Sequence, residues 1–543
     1  MTLGDSLREV GDYAFSGMSS VTGINIPDNL EKIGDNAFSS LSKAVIQNPD
    51  GAITIGADCV VGEKAFYGLA IQKVTYLASA LSVSEFASCT KLTEVTLSDA
   101  ITLLPESVFS GCTALASINI PTHLQEIDKY AFKGTTVLVA DLVLPDGVTK
   151  LADNALANTS FASIQVPTSV TEFGSNVFNS ALATSITLQN NFADDVLPNS
   201  TFYGCKNMTT FSLPQSVTAI GENAFYNCST LTEVTLSNDI ASLGKSAFAG
   251  CTKMTSFSAP GVKVIGTSVF SGDTVLSSVT LSDDMEALTS MAFYNCAALE
   301  SFSLPSALKT IGTGAFQGSG LTSFVMPEGS SLEINTNGVP ASSVFQNCKK
   351  LTSVTLNSTV TVISNSMFNG CSALTSVTGY GTLTEISNSA FNGASLLETA
   401  PVMTAVKTIG SSAFKGCAAL KEVTLPETAD FTEIAASTFS GCTSLTSIVL
   451  PSQVETVGST AFEKDTSLAE VTILNPEIEF NSTRYRSGVF ANSGVTTVNF
   501  AGTKEQAEAL FTYNKTGLTK NKVITINYGY GTESAGTEQW TVA

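Results

Sequence analysis

Residues 221–239 read GENAFYNCSTLTEVTLSND, and this stretch decides the fold. One Phe, one Cys and a Leu-x-x-Val-x-Leu run sit together, and near copies follow: GKSAFAGCTKMTSFSAP from 244 and GTGAFQGSGLTSFVMP from 312. An active site has no reason to recur along a chain. A core unit that is completed only by its neighbours must recur.

Taking the Phe as marker, the register runs from Phe15 to Phe490 through Phe202, Phe225, Phe248, Phe293, Phe368 and Phe414, with Leu156 standing in once. The unit recurs about 21 times with a period of about 23 residues, inside the range of leucine-rich repeats. Within one unit Leu231, Val234 and Leu236 face inward if the chain is extended there, and Ile240, Leu243, Ala247 and Phe248 face inward on the return path. Stacking turns each VTL or FSL segment into one rung of a parallel sheet. The expected fold is a curved leucine-rich-repeat solenoid, mainly β with irregular or short helical turns.

Pro121, Pro167, Pro214, Pro305, Pro426 and Pro451 follow rungs and keep each strand short. Gly221, Gly244, Gly266, Gly312, Gly410 and Gly458 precede the marker Phe. Lacking Cβ, they are expected to permit a tight bend or left-handed backbone. The Phe38–Phe66, Phe316–Phe345 and Phe462–Phe490 intervals are longer than the rest and place insertions on the flank of the stack.

The pattern LTSVTLP…L..IG..AF..C resembles the BspA-like leucine-rich repeats, over essentially residues 6–500. The resemblance implies cell-surface display and adhesion to host or neighbouring-cell proteins. Residues 1–500 are read as the solenoid, begun in mid-array at Met1 as in a trimmed or mature fragment. Residues 501–530 are read as a C-terminal cap with an amphipathic helix, and 531–543 as a tail or linker.

Composition narrows the function. The net charge of −21 argues against nucleic-acid and anionic-membrane partners, whose phosphates need clustered cations. No run is long and apolar enough to cross a bilayer. The one histidine, His123, rules out a multi-histidine metal site and leaves a Ser-His or Cys-His pair as an isolated possibility. No phosphate loop, nucleophile elbow or Cys-x-x-Cys motif occurs. The reading is therefore no enzyme, no cofactor and no metal.

Of eleven cysteines, all but Cys59 fall at one place in the repeat, just after the marker Phe. Stacked Cys205, Cys228 and Cys251 are within disulfide reach by spacing, but a small buried thiol suits the same corner, and reduced structural thiols are the expectation. Candidate binding residues are the outward rung positions Thr235, Thr280, Thr355 and Thr424, with Glu233 and Glu422 making part of that face acidic. Arg484, Tyr485 and Arg486 add residue types favoured at interface hot spots, in an inserted loop. Asn-x-Ser/Thr sequons, including Asn199, Asn357 and Asn481, are potential glycan sites. The expected function is a non-catalytic, extracellular or cell-surface adhesion protein gripping partner proteins with its concave sheet and flank loops. The alternative is a structural subunit that self-associates into a surface layer or appendage.

Overall fold

The computed structural model describes the chain except residues 42–43, 190–191, 193, 482–487, 519–521, 533–534 and 543. It divides into two compact units, Met1–Ser282 and Asp283–Ala543, each a stack of repeat coils. The parallel-strand β-solenoid expected from the period is the observed fold, with almost no helix.

Each coil contributes to three columns. The first is the rung ladder. In the first unit Ala52–Ile55, Lys73–Tyr76, Glu94–Leu97 and Ser117–Ile118 form one parallel sheet, and Lys73, Val74, Thr75 and Tyr76 face Glu94, Val95, Thr96 and Leu97 in register. Alternate residues point in and out, so Val95 and Leu97 are buried while Glu94 and Thr96 are exposed, as a strand with one dry face requires. A second ladder is built from two-residue strands such as Ala219–Ile220, Ser242–Leu243 and Val264–Ile265. Pro167 and Pro451 stop the rungs Ser163–Val166 and Ser447–Leu450, because an imide nitrogen cannot donate to a ladder.

The third column carries the marker aromatics. Phe202, Phe225, Phe248, Phe293, Phe368 and Phe414 are fully buried. In the first unit Phe202, Phe225 and Phe248 stack with centroids 5.1 Å apart at each step. In the second unit Phe391, Phe414, Phe439 and Phe462 stack at 5.3, 5.5 and 5.6 Å. These are turns rather than helix, and the reason is a pair of left-handed residues flanking each Phe. Asn223 and Asn227 bracket Phe225 at φ 55° and 56°, and Ser412 and Gly416 bracket Phe414 at 57° and 73°. Asn and Gly tolerate that region best, which accounts for the Asn, Ser and Gly enrichment around the aromatic. The Phe225 N–H then donates to the next coil at Ala247 O, 2.8 Å away.

The glycines before the Phe open a tight bend, one of the two expected roles: Ala247 N donates to Gly244 O at 3.2 Å and Ala461 N to Gly458 O at 3.3 Å. None of Gly221, Gly244, Gly266, Gly312, Gly410 and Gly458 is left-handed. They also permit close approach: a Cβ on Gly244 would lie 2.5 Å from Glu222 N, and one on Gly458 2.5 Å from Ala436 N. Ala152, Ser364 and Ser387 occupy the equivalent place in other coils, so coil spacing there is adjusted locally.

All eleven cysteines are free and buried. Each thiol with a described partner caps a backbone carbonyl of the preceding coil, as Cys228 Sγ does to Phe202 O at 3.0 Å and Cys371 Sγ to Phe345 O at 2.9 Å. Burial pushes the Cys228 thiol up to about 12, so it stays protonated and can donate.

At the C-terminus a helix, Lys504–Leu510, opens on a capping box between Thr503 and Gln506. The strand Val523–Tyr528 then continues the rung ladder beside Thr497–Phe500. The segment expected as a tail or linker instead supplies Gly536–Thr541, which pairs antiparallel with Val523–Tyr528. Its alternation of half-buried and exposed residues matches the pleat of an edge strand, a signal hidden by its polar composition.

The insertion after Phe316 carries an antiparallel hairpin, Asn335–Thr336 with Val339–Pro340. Its turn residues Asn337 and Gly338 both have positive φ, 53° and 77°, the pairing that tight hairpins favour.

Candidate functional site

The outward rung positions are exposed as their alternation requires. Glu233, Thr235 and Thr280 lie on the first unit's rungs, all exposed. Thr355, on the second unit's rung Ser353–Thr355, is half-buried, and its hydroxyl lies 3.5 Å from that of Thr378 in the next coil. Other hydroxyls on this face bind backbone rather than one another: Thr232 Oγ1 donates to Thr209 O at 2.9 Å, and Thr375 Oγ1 to Thr352 O at 2.9 Å. Arg484, Tyr485 and Arg486 lie outside the described residues.

Among the described residues, the predicted Glu422 and Thr424 line one concavity together. In the second unit the sheet of Ser323–Val325, Ser353–Thr355 and Ser376–Thr378 ends, and another begins at Ser447–Leu450. The two intervening rungs, around 399–402 and 422–425, join neither sheet and share one isolated bridge, Thr399 to Glu422.

Two local features of sequence produce the gap. Pro401 stands where Thr378 and Thr424 stand in their coils, and its ring turns the chain out of the pleat. Pro401 is consequently buried, while Val402, aligned with inward residues elsewhere, is 65% exposed. In regular coils that aligned residue donates to the next coil, as Leu213 N does to Thr235 O at 3.0 Å and Met326 N to Thr355 O at 2.8 Å. Val402 N donates instead to Tyr380 Oη at 2.9 Å, which leaves the Thr424 carbonyl without its ladder donor. The second feature is the longer turn PETAD at 426–430, which carries the chain to Phe431 two residues late. Among the described residues no ladder bond joins Leu425 N to Val449 O.

The result is a cleft of about 660 Å³ lined by Thr399, Pro401, Val402, Met403, Glu422, Thr424, Leu425 and Glu427 among others. Its floor is apolar, with Met403 and Leu425 buried. The charged groups lining it are two glutamates, both exposed. Among the described residues neither is paired with a cation, and the neighbouring Lys421 is held by Glu398 at 3.2 Å. Sequence reading found Glu422 and Thr424 but missed Thr399, Val402 and Glu427; a proline at an outward rung position was the available signal.

The structure also contains buried acids that the sequence reading passed over. Glu85 occupies the Ala place before Phe86 and is fully buried; Ser82 N donates to its Oε2 at 2.8 Å and Tyr76 Oη at 3.2 Å, and burial pushes its carboxyl up to about 8. Asp273 and Asp465 take the cysteine place and accept from Cys251 N at 2.7 Å and Cys442 N at 2.9 Å. Burial raises both, Asp465 to about 8. The second oxygen of each of these carboxyls has no partner among the described residues; burial disfavours their charged forms, and they are structural groups rather than exposed ligands.

His123 is exposed, its Nδ1 3.1 Å from Asp99 O. No group of three His, Cys, Asp or Glu among the described residues is placed to hold a metal ion, and none of their helices is long and apolar enough to cross a membrane. Asn357 is buried, and its side-chain amide donates to Leu332 O at 3.0 Å, so its sequon is closed to a glycan in the folded chain.

The BspA type leucine rich repeat region model matches six times, at residues 1–60, 60–185, 136–255, 195–323, 339–428 and 396–518. The chain belongs to the BspA-type leucine-rich-repeat family. Among solved structures it is similar to a leucine-rich repeat protein from Bacteroides ovatus, with 20% identity, 85% of this chain and 92% of that one covered, and a TM-score of 0.34. A leucine rich cell surface protein from Faecalibacterium prausnitzii matches at 21% identity over 69% of this chain and 83% of its own, with a TM-score of 0.33. No curated protein matches the chain.

Proposed function

We propose that the chain is a non-catalytic cell-surface or secreted protein that binds partner proteins through the exposed faces of its rung sheets. The observation that carries this reading is the alternation itself. Each rung commits one side chain in two to the core and presents the other, mostly Thr, Ser or Glu, to solvent. Repeat arrays use such extended faces to grip partners. The Faecalibacterium neighbour bears the description of a cell surface protein, which supports the location. No catalytic family is indicated by the match. The partners that fit are host or neighbouring-cell proteins, and the acidic balance disfavours nucleic acid.

The test captures purified matrix and cell-surface proteins on the immobilised chain, then maps any binder with single arginines. Arginine at Thr235 or Thr472, outward on rungs, should lower affinity about tenfold or more by steric and charge mismatch. Lys415→Glu, exposed on the turn column, should leave it unchanged. Equal loss on both columns would remove the rung face from the account.

A further inference from the structure

The interrupted rungs of the second unit combine features that a regular rung lacks. A 660 Å³ cleft opens where two coils leave the ladder. Its wall carries the Thr424 carbonyl, deprived of the Val402 N–H that would ordinarily meet it. Its floor is apolar and its charges are Glu422 and Glu427, with no cation opposite.

We infer that this cleft is a docking slot for an extended, lysine- or arginine-bearing segment of a partner protein. This rests on the reading of the chain as a protein-binding array. Extended backbone is the complement of open ladder groups, since an added strand supplies N–H and C=O groups at the strand repeat. With alternate side chains on opposite faces, one set reaches the apolar floor at Met403 and Leu425 while the backbone meets Thr424. Charge selects among extended segments. Two uncompensated carboxylates at a partly apolar wall attract a cation and repel an acidic peptide. A Lys or Arg side chain suits this double demand, because its methylene stem lies on the apolar floor while its head reaches the carboxylates.

The experiment pans a random short-peptide display library against the full chain and measures each enriched peptide by fluorescence anisotropy. Enriched sequences should carry Lys or Arg with apolar residues at a spacing of two. The same peptides should bind the E422Q/E427Q double variant about tenfold or more weakly. They should bind Glu106→Gln, altered on an exposed turn of the other unit, as tightly as the parent. Raising ionic strength from about 0.05 to 0.5 M should weaken the parent complex, because exposed charge pairs are screened. Matching thermal transitions of parent and double variant establish that the fold is intact. An empty selection, enrichment of peptides without basic residues, or equal binding to the double variant overturns the slot. If proteins are still captured through the rung face, that outcome removes the slot and leaves the broader function standing; loss of rung-face capture removes both.

Discussion

Two parts of the second unit share one repeat and differ in their ladders, for the second ladder also breaks between Thr408–Ile409 and Glu433–Ile434. From Ser447–Leu450 through Glu470–Ile473 and Thr497–Phe500 to Val523–Tyr528, the rungs form a continuous parallel ladder. Around 399–402 and 422–425 the ladder is open and a cleft takes its place. Yet the aromatic column passes through both parts without interruption. The comparison teaches that the coils are held together by the Phe column and its turn hydrogen bonds. The rung face is free to vary because it is not the only fastening.

That division can be broken most forcefully at the column. Phe414→Ala should cost about 3–5 kcal/mol by chemical denaturation, since it empties a fully buried ring site beneath the open rungs. A loss below about 1 kcal/mol would mean that these coils rely on something other than the column. The next effect contrasts two prolines. Thr472→Pro, in the middle of a paired rung, removes a ladder donor and leaves a carbonyl unmatched, at a cost of about 2–3 kcal/mol. Thr424→Pro, on the open rung, should cost less than about 1 kcal/mol because no ladder bond is lost there. Equal losses would show that the gap is closed in solution.

A smaller effect tests the column's dryness by pH. The Asp465 carboxyl stands at about 8 against an ordinary 3.8 because it is buried. Between those values the folded chain keeps the proton that the unfolded chain has released, so this group's contribution to stability falls as pH rises. Asp465→Asn can retain the acceptor for Cys442 N while removing the ionisation. Its melting temperature should match the parent near about pH 4 and exceed it by a few degrees near about pH 8. A constant difference across that window would place the carboxyl in contact with water.

Much of this architecture is legible in the residues. The recurrence of Phe, Cys and Leu-x-x-Val-x-Leu fixes which side chains are buried, because each coil repeats the same local choice. Rung lengths follow from Pro167 and Pro451, and Glu422 and Thr424 were identifiable as outward. Of the two roles expected for the glycines before the Phe, the tight bend is present and the left-handed backbone is not. Their further role is approach to the neighbouring coil at Glu222 and Ala436, a distance across coils that no single repeat contains. The left-handed positions lay instead at the Asn, Ser and Gly residues flanking the aromatic. The strand Gly536–Thr541 was hidden because its composition is polar and its partner lies across a turn.

The sequence by itself determined the period, the buried set and the family, since a hydrophobic pattern repeated at constant spacing has one economical packing. Only the tertiary structure decided where the rung ladder opens and which residues line the opening. A ladder bond joins residues one coil apart and requires two backbones to arrive in register. Pro401 and the lengthened turn before Phe431 each shift that register, and the consequence appears only when the neighbouring coils are set beside them.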